Sequence, residues 1–264
     1  MTKSFADIKN LNPQKVGLGT GLTGIVGQSR NAAINNSALS SALTFTVDEL
    51  IVQTALGGVQ YKLANLTLSS SLSVVGAGGV DIAGTVPTNG YMAKYAIYNP
   101  STGAKASLLQ LCTSGKSSEV YTGTAMPPGY TASALVAVWP IISGQFAIGY
   151  LRGRKVTRQI ATVINTSTPY ASTISLAWAV PPNAVKCWGN MWANSGGSGG
   201  ATTVTISTDS AGAGFKQAYM GNIPGGGDMS FELTIATQQT AYSTFTNSNS
   251  GNPNANISIT DYEF

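Results

Sequence analysis

At 264 residues the chain is long enough for a sizeable core, arranged as one large or two modest domains. Charged residues make up only 9% of it against 43% hydrophobic ones, so surface polarity falls to Ser, Thr, Asn, Gln and the 31 glycines. Such a surface has little charge repulsion to keep copies apart and suits a subunit covered by neighbours better than a dispersed enzyme. The net charge of +4 is spread thinly, and histidine is absent, which excludes histidine triads, histidine general bases and most transition-metal sites.

The N-terminal MTKSFADIKN is polar and lacks the apolar core of a signal peptide, and no run approaches the ~20 apolar residues of a membrane span. The expectation is synthesis in the cytoplasm without membrane insertion. Apolar positions stay sparse through the glycine stretch and the Asn/Ser/Ala-rich segment that follows. Residues 1–46 therefore read as an extended arm, with one short helical piece near Asn31–Leu43, that becomes ordered against a partner.

Within the arm, GLGTGLTGIVG holds a G-x-G-x-x-G at Gly19, Gly21 and Gly24. A dinucleotide turn needs a buried strand before it and a helix after it. Here LNPQKV precedes it and Gly27 interrupts any helix start, so the pattern lacks its context. With Gly17, these glycines read as pliable backbone for an arm threading along a partner surface.

From Phe45 the pattern turns to β. FTVDELIVQTAL, VQYKLANLTLSSSLSVV, GYMAKYAIYNP, KASLLQLC, SALVAVWP and GQFAIGYL are short runs separated by Gly, Pro and Asn turns. In the second, Leu66, Leu68, Ser70, Leu72 and Val74 share a side, as in a strand with one covered face. This first β domain spans 47–155. It closes on GYLRGRKVTRQ, where four of the chain's 14 cations cluster. If that segment is extended, Arg152, Arg154 and Arg158 share one face. Two readings stand: an edge blunted by charge, or a patch for an acidic polysaccharide, lipid phosphate or a partner subunit. No aromatics interleave with the cations, which gives single-stranded nucleic acid little to stack on.

A second block, 156–264, holds about eight short runs with turn residues between them, the signature of an antiparallel sandwich or jelly roll. No ten-residue helical pattern separates the runs of the first block, which argues against parallel βαβ units. Cys112 and Cys187 fit no metal-ligand spacing and read as buried thiols. GKS at 115–117 is no phosphate loop, because Gln110 stands where its glycine belongs.

Carboxylate chemistry has two neighbouring pairs to draw on, Asp228 with Glu232 and Asp261 with Glu263, and i,i+2 on a strand is about 7 Å. A solvated strand face produces the same pattern. Among the aromatics, Trp178, Trp188, Trp192, Tyr170 and Tyr219 are open to two readings, core packing or platforms for sugar rings. Trp188 and Trp192 share one side of a strand.

The segments NGYMAKYAIYNPSTGAKASLLQLC, MPPGYTASALVAVWP and GQFAIGYLRGRKV, in that order, resemble a recurrent type of bacteriophage fibre protein, as does the stretch from NTST through VPPNA to the final YEF. The resemblance covers Tyr91 to Phe264. It implies a virion component such as a tail or head fibre, commonly a homotrimer, and implies no catalytic residue. The arm would then dock on tail, collar or capsid through Gly17, Gly19, Gly21 and Gly24. The C-terminal domain would face the host, with Trp188, Trp192, Tyr219, Arg152, Arg154 and Arg158 as candidate contacts to surface polysaccharide or a partner. No cofactor, metal or nucleic acid is expected. The alternatives are a capsid or collar decoration or adaptor protein without a receptor role, and a carboxylate-based glycan-cleaving enzyme.

Overall fold

The run from 42 to 53 shows how this chain builds strands. Leu43, Phe45 and Val47 are buried while Thr44 and Thr46 face water, the period of a strand with one covered side. A computed structural model describes residues 24–196, 200–221, 225–248 and 251–264. Among these residues every regular element is a strand. The first nine are β1 (Ser29–Arg30), β2 (Ala33–Asn36), β3 (Ala42–Gln53), β4 (Gln60–Ser71), β5 (Gly79–Val80), β6 (Gly90–Tyr98), β7 (Lys105–Leu111), β8 (Ala132–Ile142) and β9 (Gln145–Phe146). Then come β10 (Gly149–Arg152), β11 (Lys155–Thr166), β12 (Tyr170–Ser175), β13 (Lys186–Asn194), β14 (Thr202–Ser207), β15 (Lys216–Met220), β16 (Gly226–Thr234), β17 (Thr240–Asn247) and β18 (Asn254–Glu263).

A 14-stranded sheet runs β16-β13-β18-β11-β10-β2-β3-β8-β6-β7-β5, with β1 and β4 attached to β3 and β9 to β8. A second, 4-stranded sheet runs β12-β17-β14-β15. Among the named strands, pairing is antiparallel except for the two-residue β5–β7 contact. The all-β, antiparallel expectation holds.

The large sheet folds over on itself in its first half. Ser70 on β4 bonds Ser107 on β7 at 2.7 Å, and Lys94 on β6 reaches the Leu43 carbonyl on β3 at 3.2 Å. The other face of β6 is covered by the long connection after β7, where Tyr95 donates to the Ser118 carbonyl and its ring meets Tyr121 edge-on. With both faces covered, residues 91 to 97 are buried without a break. In the second half, inward residues of β13, β16 and β18, among them Cys187, Met191, Phe231 and Ile257, join Val204, Ile206 and Phe245 of the small sheet in the core.

The two halves interlock. The Tyr262 hydroxyl, on the last strand, donates to the Val138 carbonyl on β8, and Asn183 Nδ2 donates to the Ser117 carbonyl at 2.8 Å. Boundaries expected at 46/47 and 155/156 fall inside β3 and β11.

The helical piece expected near Asn31–Leu43 is instead β2 and the start of β3. Asn31 turns the chain at φ 56°, and Ile34 pairs with Phe45 on one side and Leu151 on the other. Sheet hydrogen bonds from both neighbours decide a segment whose own helical tendency is weak. Gly17, Gly19 and Gly21 lie outside the described residues. Gly24 is described, and it sits under the β3 side chain of Ile51, where a Cβ would lie 1.8 Å from Ile51 Cδ1.

Candidate functional site

The basic cluster is a hairpin rather than one extended face. Arg152 pairs with Lys155 across a two-residue turn whose first position, Gly153, takes φ 62°. The turn sends the three arginines to different places, which corrects the shared-face expectation. Arg152 leans along β2, with Nη2 donating to Asn35 Oδ1 at 2.8 Å. Arg154 grips Glu119 with both terminal nitrogens, at 2.9 and 2.7 Å, and lies 4.6 Å from the Phe264 ring centroid. Arg158 points inward, 8% exposed, and donates from Nη1 to the carbonyls of Trp178 and Ala179.

The aromatic pair on β13 is placed as expected. Cys187, Gly189, Met191 and Ala193 turn into the sandwich, so Trp188, Asn190 and Trp192 face out. Trp188 and Trp192 lie ~13 Å apart along the strand by its rise per residue. Trp192 is 37% exposed, and its indole lies over Gly226, where a Cβ would meet Nε1 at 2.1 Å. Tyr219 is exposed on β15 of the other sheet, and its carbonyl lies against Gly227, the residue after the Gly226 that sits under the Trp192 indole.

Around Trp188 the register assembles a charged cluster that no single run announces. Trp188 stands opposite Glu232 on β16 and Asp261 on β18. Its Nε1 donates to Glu232 at 2.8 Å, and Lys186 pairs with the same carboxylate at 2.8 Å. Lys155 lies 4.1 Å from the indole centroid and 3.5 Å from Asp261, which also accepts from Thr157 at 2.6 Å. The bonds from Lys186 and Trp188 hold the Glu232 carboxyl below the usual carboxylate range. A general acid needs a shift in the opposite direction. Lys186 follows from the alternation of β13 itself, two residues before Trp188, whereas Lys155 and Thr157 are invisible to a strand-by-strand reading because only the β13–β18–β11 register brings them to Trp188.

Both cysteines are free and buried, and burial raises the Cys187 thiol to about 12. Asn183 ties the GKS segment down, accepting from the Ser117 amide at 2.9 Å.

No protein-family model matches the chain and no curated protein matches it. Among solved structures, a chain from the atomic structure of the Sulfolobus turreted icosahedral virus is similar at 12% identity and a TM-score of 0.25, over 90% of this chain and 68% of that one. An insecticidal crystal protein is similar at 9% identity and a TM-score of 0.23, over 89% of this chain and 51% of that one.

Proposed function

We propose that the chain is a structural bacteriophage virion protein of the fibre kind. Its N-terminal segment anchors to tail or capsid, and its C-terminal β sandwich binds saccharide on the host surface. The observation that carries the reading is the outward face of β13, where Trp188 and Trp192 stand on a strand paired on both sides, by β16 and β18. Aromatic rings on a rigid sheet give a sugar ring an apolar face without an ordering cost, and the amides and hydroxyls around them supply hydrogen bonds. Asn190, Ser230 and Asn256 belong to the same registers, so the face is polar as well as aromatic. The sparse charge and the ordered IYNPSTG and PPGYTA segments support a place in an assembled particle.

The test is a saccharide array probed with the full-length chain. Wild type is expected to bind a subset of surface polysaccharides, and Trp192→Ala to lose ~10-fold or more of that binding, the scale of one stacking contact. Equal binding by both proteins contradicts a role for this face. Immunogold labelling of intact particles tests the virion reading separately, and unlabelled particles contradict it.

A further inference from the structure

A second feature lies where the two halves meet. The loop after β12 raises Trp178, 52% exposed, on a backbone held from below. Its carbonyl accepts from the Tyr91 hydroxyl and from Arg158 Nη1, each at 3.1 Å, and the next carbonyl, of Ala179, accepts from Arg158 at 2.8 Å. Beside it opens a cleft of about 280 Å³, walled by Asn89, Thr113, Pro140 and Ile142 and lined by Trp178 and Arg158. That volume falls just under the ~300–1,000 Å³ of sites for drug-sized ligands, so the cleft fits one ring rather than a chain.

Arg158 is 8% exposed, yet among the described residues no carboxylate lies within ion-pair distance of it. Its Nε donates to the Gln159 carbonyl and its Nη1 to neutral oxygens only. Among the described residues Nη2 has no hydrogen-bond partner, and Arg158 is one of the residues that line the cleft. A guanidinium this deep without an anion is costly, and an arriving anion relieves that cost. The cleft thus offers a fixed cation with a free nitrogen next to an aromatic face on a rigid backbone.

We propose that this cleft binds the carboxylate-bearing ring of an acidic saccharide, a hexuronic acid unit, with the carboxylate on Arg158 Nη2 and an apolar ring face on Trp178. The assignment rests on the saccharide-binding reading above and names the ligand class. The free nitrogen selects the charged group, and the indole selects the ring, by a charge-assisted hydrogen bond and stacking respectively.

Calorimetric titration of the full-length chain tests it, with short oligomers of glucuronic, galacturonic and mannuronic acid, their methyl esters, and the matching neutral oligomers. At least one acid is expected to bind, with its ester and its neutral counterpart about tenfold or more weaker, as for loss of a hydrogen bond to a charged group. Trp178→Ala, at the exposed rim, is expected to weaken the acid by a similar factor, while Trp192→Ala leaves the selectivity for acid over ester unchanged. The esters probe Arg158 from the ligand side, so no variant of that buried residue is needed. Equal affinity for acid and ester, or full binding by a folded Trp178→Ala chain, overturns the assignment. If saccharides bind through Trp192 alone, the surface-saccharide reading survives and the cleft does not. If nothing in the panel binds, the cleft assignment is overturned, and the saccharide array decides the broader reading.

Discussion

Lys94 carries an amine into the centre of the first half and is wholly buried. The groups that meet it are the Leu43 carbonyl on β3 and the Ser70 hydroxyl on β4, backed by Ser107 on β7, and none is a carboxylate. Two partners satisfy a neutral amine better than an ammonium with three donors. Burial accordingly lowers Lys94 from 10.5 to about 7. The sign follows from proton counts: between those values the unfolded chain binds the proton and the folded one does not, so this group's contribution to stability rises with pH. Below about 7 its cost is complete and constant. At ~1.4 kcal/mol per unit, the stability difference between wild type and Lys94→Met is expected to rise by up to ~4 kcal/mol from pH 7 to pH 10. Urea unfolding of both proteins across that range measures it, and a flat difference contradicts the neutral amine. The comparison must be differential, because Cys187 and Tyr91, each raised to about 12 by burial, release protons on unfolding and lower stability above about pH 9 in both proteins.

At the scale of elements, β13 works as a strand because Gly189 has no side chain. A Cβ there would lie 2.0 Å from the Ser258 carbonyl and 3.0 Å from Phe231 Cζ, between its two neighbours in the sheet. Gly189→Ala is expected to cost ~1–3 kcal/mol and lower the melting temperature by roughly 2–12 °C, with an unchanged temperature contradicting the tight approach. Strand identity was largely legible in sequence. The alternation Leu66, Leu68, Ser70 is buried as read and Leu72 still packs against the core, but it ends there, just past the end of β4 at Ser71, leaving Val74 exposed.

What was not legible depends on partners distant in sequence. In β3, burial shifts phase from Phe45 and Val47 to Leu50 and Val52, and β4 shifts with it, from Leu66 to Leu63, around Asn65 at φ 53°. A period-2 rule applied to either strand alone misses that step. The same limit hid the Arg152–Lys155 hairpin, where one glycine redirects three arginines, and the approach of Lys155 to Trp188. Charges were readable; which strands carry them side by side was not.

For the whole molecule, the decisive fact is that one sheet runs through both halves, from β16 to β5, with Tyr262 and Asn183 bonding across. Unfolding is therefore expected as one calorimetric transition, with calorimetric and van't Hoff enthalpies equal, and two resolved transitions contradict this coupling. Anchoring belongs to the same scale. Removing residues 1–23 is expected to leave a folded chain that is missing from purified particles, since the described sheets begin beyond them. The most direct test of the proposed host-surface role is adsorption competition with the purified full-length chain. Saturating wild type is expected to block adsorption of the virus that carries it, while the Trp192→Ala chain blocks it weakly. Undiminished adsorption in the presence of folded wild-type chain contradicts the account.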